Sequence, residues 1–205
     1  MNSNAFVAPK LNDLYNKKSA HIVDKFTRMF KINLIAIVAG SFAVMLMAWA
    51  VNIPYMGVGM FILLNILALI NQKLLKGLNA IDKNVNSYQY LKTFDAWLKE
   101  MISLNQKFAR VFYPLALVSV IAGFWFGEFG GNIPGSDFVD ALVLRFPDMA
   151  LLFGLPLYPL LGLVSVIILA ASFAGRVYKW DLNLVYGRVI AKLEDILADM
   201  EELRD

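Results

Sequence analysis

The sequence predicts an all-α membrane protein: four transmembrane helices as two hairpins, with long cytoplasmic helical extensions. Three observations carry this. The chain of 205 residues is 59% hydrophobic and only 17% charged, whereas soluble domains run at roughly 45–50% apolar and about 25% charged. Its mean hydropathy of +0.60 is concentrated in four uncharged stretches. Its lysines and arginines crowd into the segments that flank those stretches on one side only.

The apolar stretches cover residues 32–51, 53–70, 111–126 and 149–174. Crossing about 30 Å of hydrocarbon takes about 20 mainly apolar residues. The first and fourth meet that directly. The second and third reach it through uncharged flanks, Asn71 and Gln72 on one and Phe108 and Ala109 on the other. Between the first two spans lie only Asn52 to Gly57, and Pro54 and Gly57 punctuate a tight turn, so the two helices are expected to run antiparallel. The third and fourth spans are joined by residues 127–148, where a short amphipathic helix over 136–146, capped by Ser136, is expected at the membrane surface.

The domain plan follows. Residues 1–31 form an amphipathic N-terminal segment, 32–72 the first transmembrane hairpin and 73–110 a helical segment. Residues 111–174 form the second hairpin with its 127–148 loop, and 175–205 a C-terminal helix. Eighteen of the nineteen Lys and Arg residues lie in 1–31, 73–110 and 175–205, and the remaining one, Arg145, lies in the long loop. Basic residues in short loops mark the cytoplasmic face. Both termini and the centre are therefore expected in the cytoplasm of a bacterial inner membrane. Ala48-Trp49-Ala50 imitates a signal-peptidase site, but the run before it is longer than a secretory apolar region of about 7–15 residues, so the segment reads as a retained span.

Outside the spans the pattern is helical. Leu91, Phe94, Leu98, Met101 and Phe108 recur at steps of three and four or their sum, with Asn105 in the same stripe. In the tail the stripe is Leu182, Val185, Val189, Leu193, Ile196, Met200 and Leu203. Each is a one-faced helical stripe. The tail is expected to continue the fourth span as one helix from near Met149. Its partner is open: the Leu91–Phe108 stripe of the same chain, a second subunit, or a soluble protein. Leu193, Ile196, Met200 and Leu203 are the partner-binding candidates. The end of the tail is acidic, through Glu194, Asp195, Asp199, Glu201, Glu202 and Asp205, and suits a basic partner.

Catalytic chemistry is not expected. There is no cysteine and a single histidine, His21, which cannot build a zinc site of the usual kind. No nucleophile elbow, dinucleotide fingerprint or phosphate-binding loop is present. The spans hold no Asp, Glu, Lys or Arg, the residues that mark proton relays and coupled transporters. No cofactor and no metal is expected, and a net charge of +3 is too small to suggest nucleic acid. Asn65, deep in the second span, is either an interhelical hydrogen-bonding residue or a pore-lining amide. The pairs Ala36/Gly40, Ala39/Ala43, Ser119/Gly123 and Ala171/Gly175 have the spacing of close helix packing. Pro156 and Pro159 are expected to interrupt the fourth span, as a packing kink or a hinge.

The stretch from Ile53-Pro54-Tyr55 through Ile81-Asp82-Lys83 and on to Arg110-Val111-Phe112, with its short hairpin turn and lysine-rich helix and the long C-terminal helix ending Glu-Glu-Leu, resembles a group of uncharacterised four-span membrane proteins of Bacteroidota type. Some of these are encoded near sigma-factor genes. The resemblance implies a regulatory role by association and brings no functional residue with it. The expected function is a non-enzymatic membrane regulator or scaffold whose cytoplasmic helices bind a partner or self-associate. The alternative is a small homo-oligomeric channel gated through those helices. The expected partners are the bilayer with its anionic inner-leaflet lipids, further copies of the chain, and a cytoplasmic protein.

Overall fold

The N-terminal segment and the first span form one helix, α1 (Asn4–Ala50). The computed structural model describes residues 4–128, 131–152 and 154–202, with side chains from Lys17 onward. The end of α1 is set by Asn52, whose φ of 60° places it in the left-handed region that asparagine tolerates. The Asn52 amide donates to Trp49 O at 3.2 Å and the Ile53 amide to Ala48 O at 2.9 Å. That pair of bonds closes the helix as a Schellman motif. α2 (Pro54–Asn79) starts on the next residue, with Pro54 at the first helical position, where its missing N–H costs nothing. Gly57 therefore lies inside α2 rather than in the turn. A Cβ there would stand 2.8 Å from Ala48 Cβ, so glycine permits α2 to leave the turn close against α1.

α3 (Ser87–Phe126) contains Pro114 in its interior and is capped by Asn86, whose Oδ1 accepts the Gln89 amide at 2.8 Å. After α3 come α4 (Pro134–Arg145) and a two-residue antiparallel ladder, β1 (Leu151–Leu152) and β2 (Leu155–Pro156), with Leu151 opposite Pro156 and Leu152 opposite Leu155. α5 (Leu157–Glu202) completes the chain. All four of α1, α2, α3 and α5 are long and apolar enough to cross a membrane, with mean hydropathy of 1.6 to 2.2 in their most apolar windows.

Three sequence expectations change here. The fourth long helix starts at Leu157, not near Met149, because Gly154 takes φ 78° and turns the chain back on itself. Pro156 ends β2, and Pro159 is the third residue of α5, where the amide has no intrahelical partner. Neither proline interrupts the helix. The short helix in the long loop is present, but its N-cap is Ile133 with Pro134 at the first turn. Ser136 is not the cap: its hydroxyl donates back to Ile133 O at 2.9 Å.

Two compact units form. The first gathers Met1–Ile35, Ile70–Asn105 and Lys179–Asp205; the second gathers Ala36–Leu69 and Gln106–Tyr178. The first has an aromatic core. Phe26 of α1 is fully buried and lies 5.4 Å from Phe94, 5.9 Å from Trp97 and 4.9 Å from Tyr186, ring centre to ring centre. That joins α1, α3 and α5. Trp97 Nε1 donates to Leu74 O at 3.1 Å and adds α2. Ile22, Val23 and Phe30 line the same side of α1 and are buried with it.

The second unit packs through small residues. Gly59 of α2 faces Ser119 of α3, and Gly123 of α3 faces Met56 of α2, each so closely that a Cβ would overlap its neighbour. Phe42 and Phe61 meet edge to face at 5.1 Å. The opposite faces are apolar and exposed, with Leu46 and Met47 each more than two-thirds accessible. Gly40 has no atom near its missing Cβ, so its pairing with Ala36 does not mark a packing contact among the described residues, whereas Ser119 and Gly123 do.

Candidate functional site

The charged, aqueous-type chemistry of this chain is concentrated in the first unit, so its helices are the place to look for function. On α3, Leu91, Phe94, Leu98, Met101 and Asn105 are buried, as their spacing predicts. On α5 the buried set is Leu182, Tyr186, Val189, Leu193 and Ile196. Tyr186 replaces Val185, which is 42% exposed. Steps of four, three, four and three hold one face at 3.6 residues per turn, and a tyrosine ring reaches the centre of the aromatic cluster where valine would not.

The sequence-selected residues divide. Leu193 is 1% and Ile196 6% exposed; both are enclosed by the first unit of the same chain. Met200 is half-buried, and Leu203 lies outside the described residues. Glu194, Asp195, Asp199, Glu201 and Glu202 are exposed. Glu201 accepts a hydrogen bond from the Tyr88 hydroxyl at 3.1 Å, which ties the end of α5 to the start of α3.

Asn65 is half-buried in the second unit. Its amide donates to Ser41 Oγ of α1 at 3.1 Å and to Phe61 O at 2.8 Å. Ser41 is fully buried and donates to Val38 O at 2.7 Å. The Asn65 donor is thus spent on an interhelical bond and on its own helix.

A buried amide pair, Asn71 and Asn105, was not foreseen as a pair. Asn105 donates to Asn71 Oδ1 at 3.2 Å and to Met101 O at 3.2 Å. The signal for it was Asn105 standing in an otherwise apolar stripe; Asn71 read only as an uncharged flank. Two hollows were also not legible. One is an apolar slot of about 440 Å³ in the second unit, bounded by Ala122, Trp125, Phe138, Pro156, Pro159 and Leu163. The other is polar and lies in the first unit, where Ser19, Asp24, Lys83, Ser87 and Tyr90 meet. His21 is exposed beside Asp24 and Lys25. Among the described residues no three His, Cys, Asp or Glu side chains stand close enough to hold a metal ion.

Comparison with protein-family models, with curated proteins and with solved structures returned no match.

Proposed function

We propose that this chain is a non-enzymatic integral membrane regulator or scaffold. In this reading the four long helices form two hairpins in a bacterial inner membrane, and both termini and residues 73–110 face the cytoplasm. The observation that carries it is the first unit. Three separated chain segments, all rich in Lys and Arg, converge on one aromatic core around Phe26. A chain that served only as a membrane plug would not need a second hydrophobic core outside its apolar windows. The basic bias of the same segments supports the cytoplasmic assignment, and Lys and Arg near the membrane favour anionic lipids.

The interaction surface we assign is the exposed acidic end of α5, not the Leu193–Ile196 face, since that face is covered by the chain itself. Glu194, Asp195 and Asp199 then select a basic protein partner, or a basic stretch of a second copy. The resemblance to the four-span Bacteroidota-type group points the same way, to regulation. The channel alternative needs polar groups turned to a water path; the bonds of Asn65 to Ser41 and Phe61 favour a packing role instead.

The test is photo-crosslinking in intact cells from position 198, which is exposed beside the acids. A discrete adduct should form and should disappear when Glu194, Asp195 and Asp199 are changed to Lys, while the melting temperature of the purified protein stays the same. No adduct, together with ion currents in planar bilayers that change with Asn65→Leu, would replace the scaffold by the channel.

A further inference from the structure

Phe26 of α1 and Tyr186 of α5 meet at 4.9 Å between ring centres, which fixes one common height on the two helices. Ser19 of α1 and Glu201 of α5 both lie at the start of α3, so α1 and α5 run in opposite directions. Equal numbers of residues counted away from the Phe26–Tyr186 contact then mark equal heights, at about 1.5 Å per residue. Lys17 lies nine residues before Phe26, and Asp195 nine after Tyr186. Asp24 lies two before Phe26, and Arg188 two after Tyr186. Lys31 lies five after Phe26, and Asp181 five before Tyr186. At each of these heights the two charges are opposite. Over residues 17–35 and 177–195 no matched height brings two like charges together.

The six charges form one line on each helix. Lys17, Asp24 and Lys31 recur every seven residues, and so do Asp181, Arg188 and Asp195, a spacing that keeps to one helix face. All six are exposed, outside the faces that bury Phe26 and Tyr186. Among the described residues no ion pair joins one line to the other. Asp24 pairs with Lys83 at 3.6 Å, but both side chains are mostly exposed, and such a solvated pair is worth little. A second copy in the same bilayer and orientation keeps every residue at its height. Its α5 line can meet the α1 line of the first copy with all three pairs formed.

The same face of α5 carries Leu184, three residues after Asp181 and four before Arg188, and 73% exposed. Its height is that of Arg28 on α1, which lines a hollow of about 540 Å³ with His21, Asp24, Lys25 and Met29. Met29 and the aliphatic stems of Lys25 and Arg28 offer a leucine an apolar seat. We propose that α5 of a second copy docks antiparallel on α1 of the first, pairing Lys17 with Asp195, Asp24 with Arg188 and Lys31 with Asp181, and seating Leu184 in that hollow. The charges set register and direction, as flanking charges do between paired helices. Leu184 adds apolar burial that exposed ion pairs lack. Asp195 is shared with the partner surface assigned to α5 above, so this choice of partner rests on that assignment.

Two differently tagged full-length copies, co-expressed in cells and treated in native membranes with a short bismaleimide, test this. One copy carries Lys17→Cys and the other Asp195→Cys; the chain has no other cysteine, so a product holding both tags reports contact between copies only. That product should form, and likewise for Asp24→Cys with Arg188→Cys and for Lys31→Cys with Asp181→Cys. Lys17→Cys with Asp181→Cys, roughly 21 Å out of height, should give none. Charge reversal on α1 (Lys17→Glu, Asp24→Lys and Lys31→Glu together) should weaken self-association at least about tenfold, read by light scattering on serial dilution in detergent. Adding Asp181→Lys, Arg188→Glu and Asp195→Lys to the same chain should restore it, which a misfolded variant would not do. No product with both tags, equal yields in and out of register, or a reversal that the second set fails to rescue overturns the proposal. An adduct from position 198 to a different protein, with no product between copies, overturns it too and leaves the scaffold reading standing.

Discussion

Asn105 donates a hydrogen bond to Asn71 Oδ1 at 3.2 Å, with both amides inside the first unit at 4% and 7% exposure. The bond joins α3 to α2 where each approaches its apolar stretch. A buried amide is tolerated because it is paired; the pair adds little over two apolar residues, but either half alone is costly. The same pattern recurs in the second unit, where Asn65 reaches Ser41.

That asymmetry predicts a specific mutational pattern. Asn71→Leu or Asn105→Leu alone should destabilise the protein by about 1–3 kcal/mol, since the bond between the two helices is lost while the other amide stays buried. The double substitution should recover much of that loss. Thermal melts of the three variants in detergent check it; additive losses would show that the two amides do not act as a pair.

The aromatic core predicts a larger effect. Phe26 is fully buried and touches Phe94, Trp97 and Tyr186, so Phe26→Ala should cost about 3–5 kcal/mol. The loss should be local to the first unit. Limited proteolysis should then cut around residues 80–86, between α2 and α3, while the apolar helices of the second unit stay protected in detergent. Protection of residues 80–86 at wild-type level would contradict the assigned core.

The long helices were legible in the sequence because uncharged length and one-faced spacing are strong signals, and all four are present, although α5 starts at Leu157 rather than near Met149. What was not legible has a common cause: single residues whose meaning depends on a partner far away in the chain. Leu151, Leu152, Leu155 and Leu157 read as one more stretch of transmembrane helix, and only the positive φ of Gly154 and the pairing of Leu151 with Pro156 reveal the turn. Val185 and Tyr186 are neighbours, and spacing alone does not say which faces inward. Ser19 sits in a charged segment, where nothing announces that it is 1% exposed. The tail stripe offered three partners, and its burial in the first unit is a property of packing that no single stripe can specify.

Close packing in the second unit is confined to certain glycines, which a paired substitution can separate. A Cβ at Gly123 would overlap Met56, whereas nothing lies within 4 Å of one at Gly40. Gly123→Leu should therefore abolish monodisperse protein on size-exclusion chromatography, through overpacking worth about 1–3 kcal/mol or more. Gly40→Leu should purify normally. Equal tolerance at both positions would place the α2–α3 contact elsewhere.

Orientation in the membrane rests on charge and is open to a direct chemical measurement, because the chain has no cysteine of its own. Asp199→Cys lies at the exposed acidic end of α5, and Asp137→Cys lies on α4, also exposed. With the basic segments inside, a membrane-impermeant maleimide added to intact spheroplasts should label position 137 and leave position 199 unlabelled until the membrane is broken. The two positions are separated along the chain by the apolar part of α5, so an odd number of crossings between them requires opposite behaviour. Labelling of both from outside would mean that α5 does not cross. Labelling of 199 alone would invert the topology and place the acidic surface outside the cell.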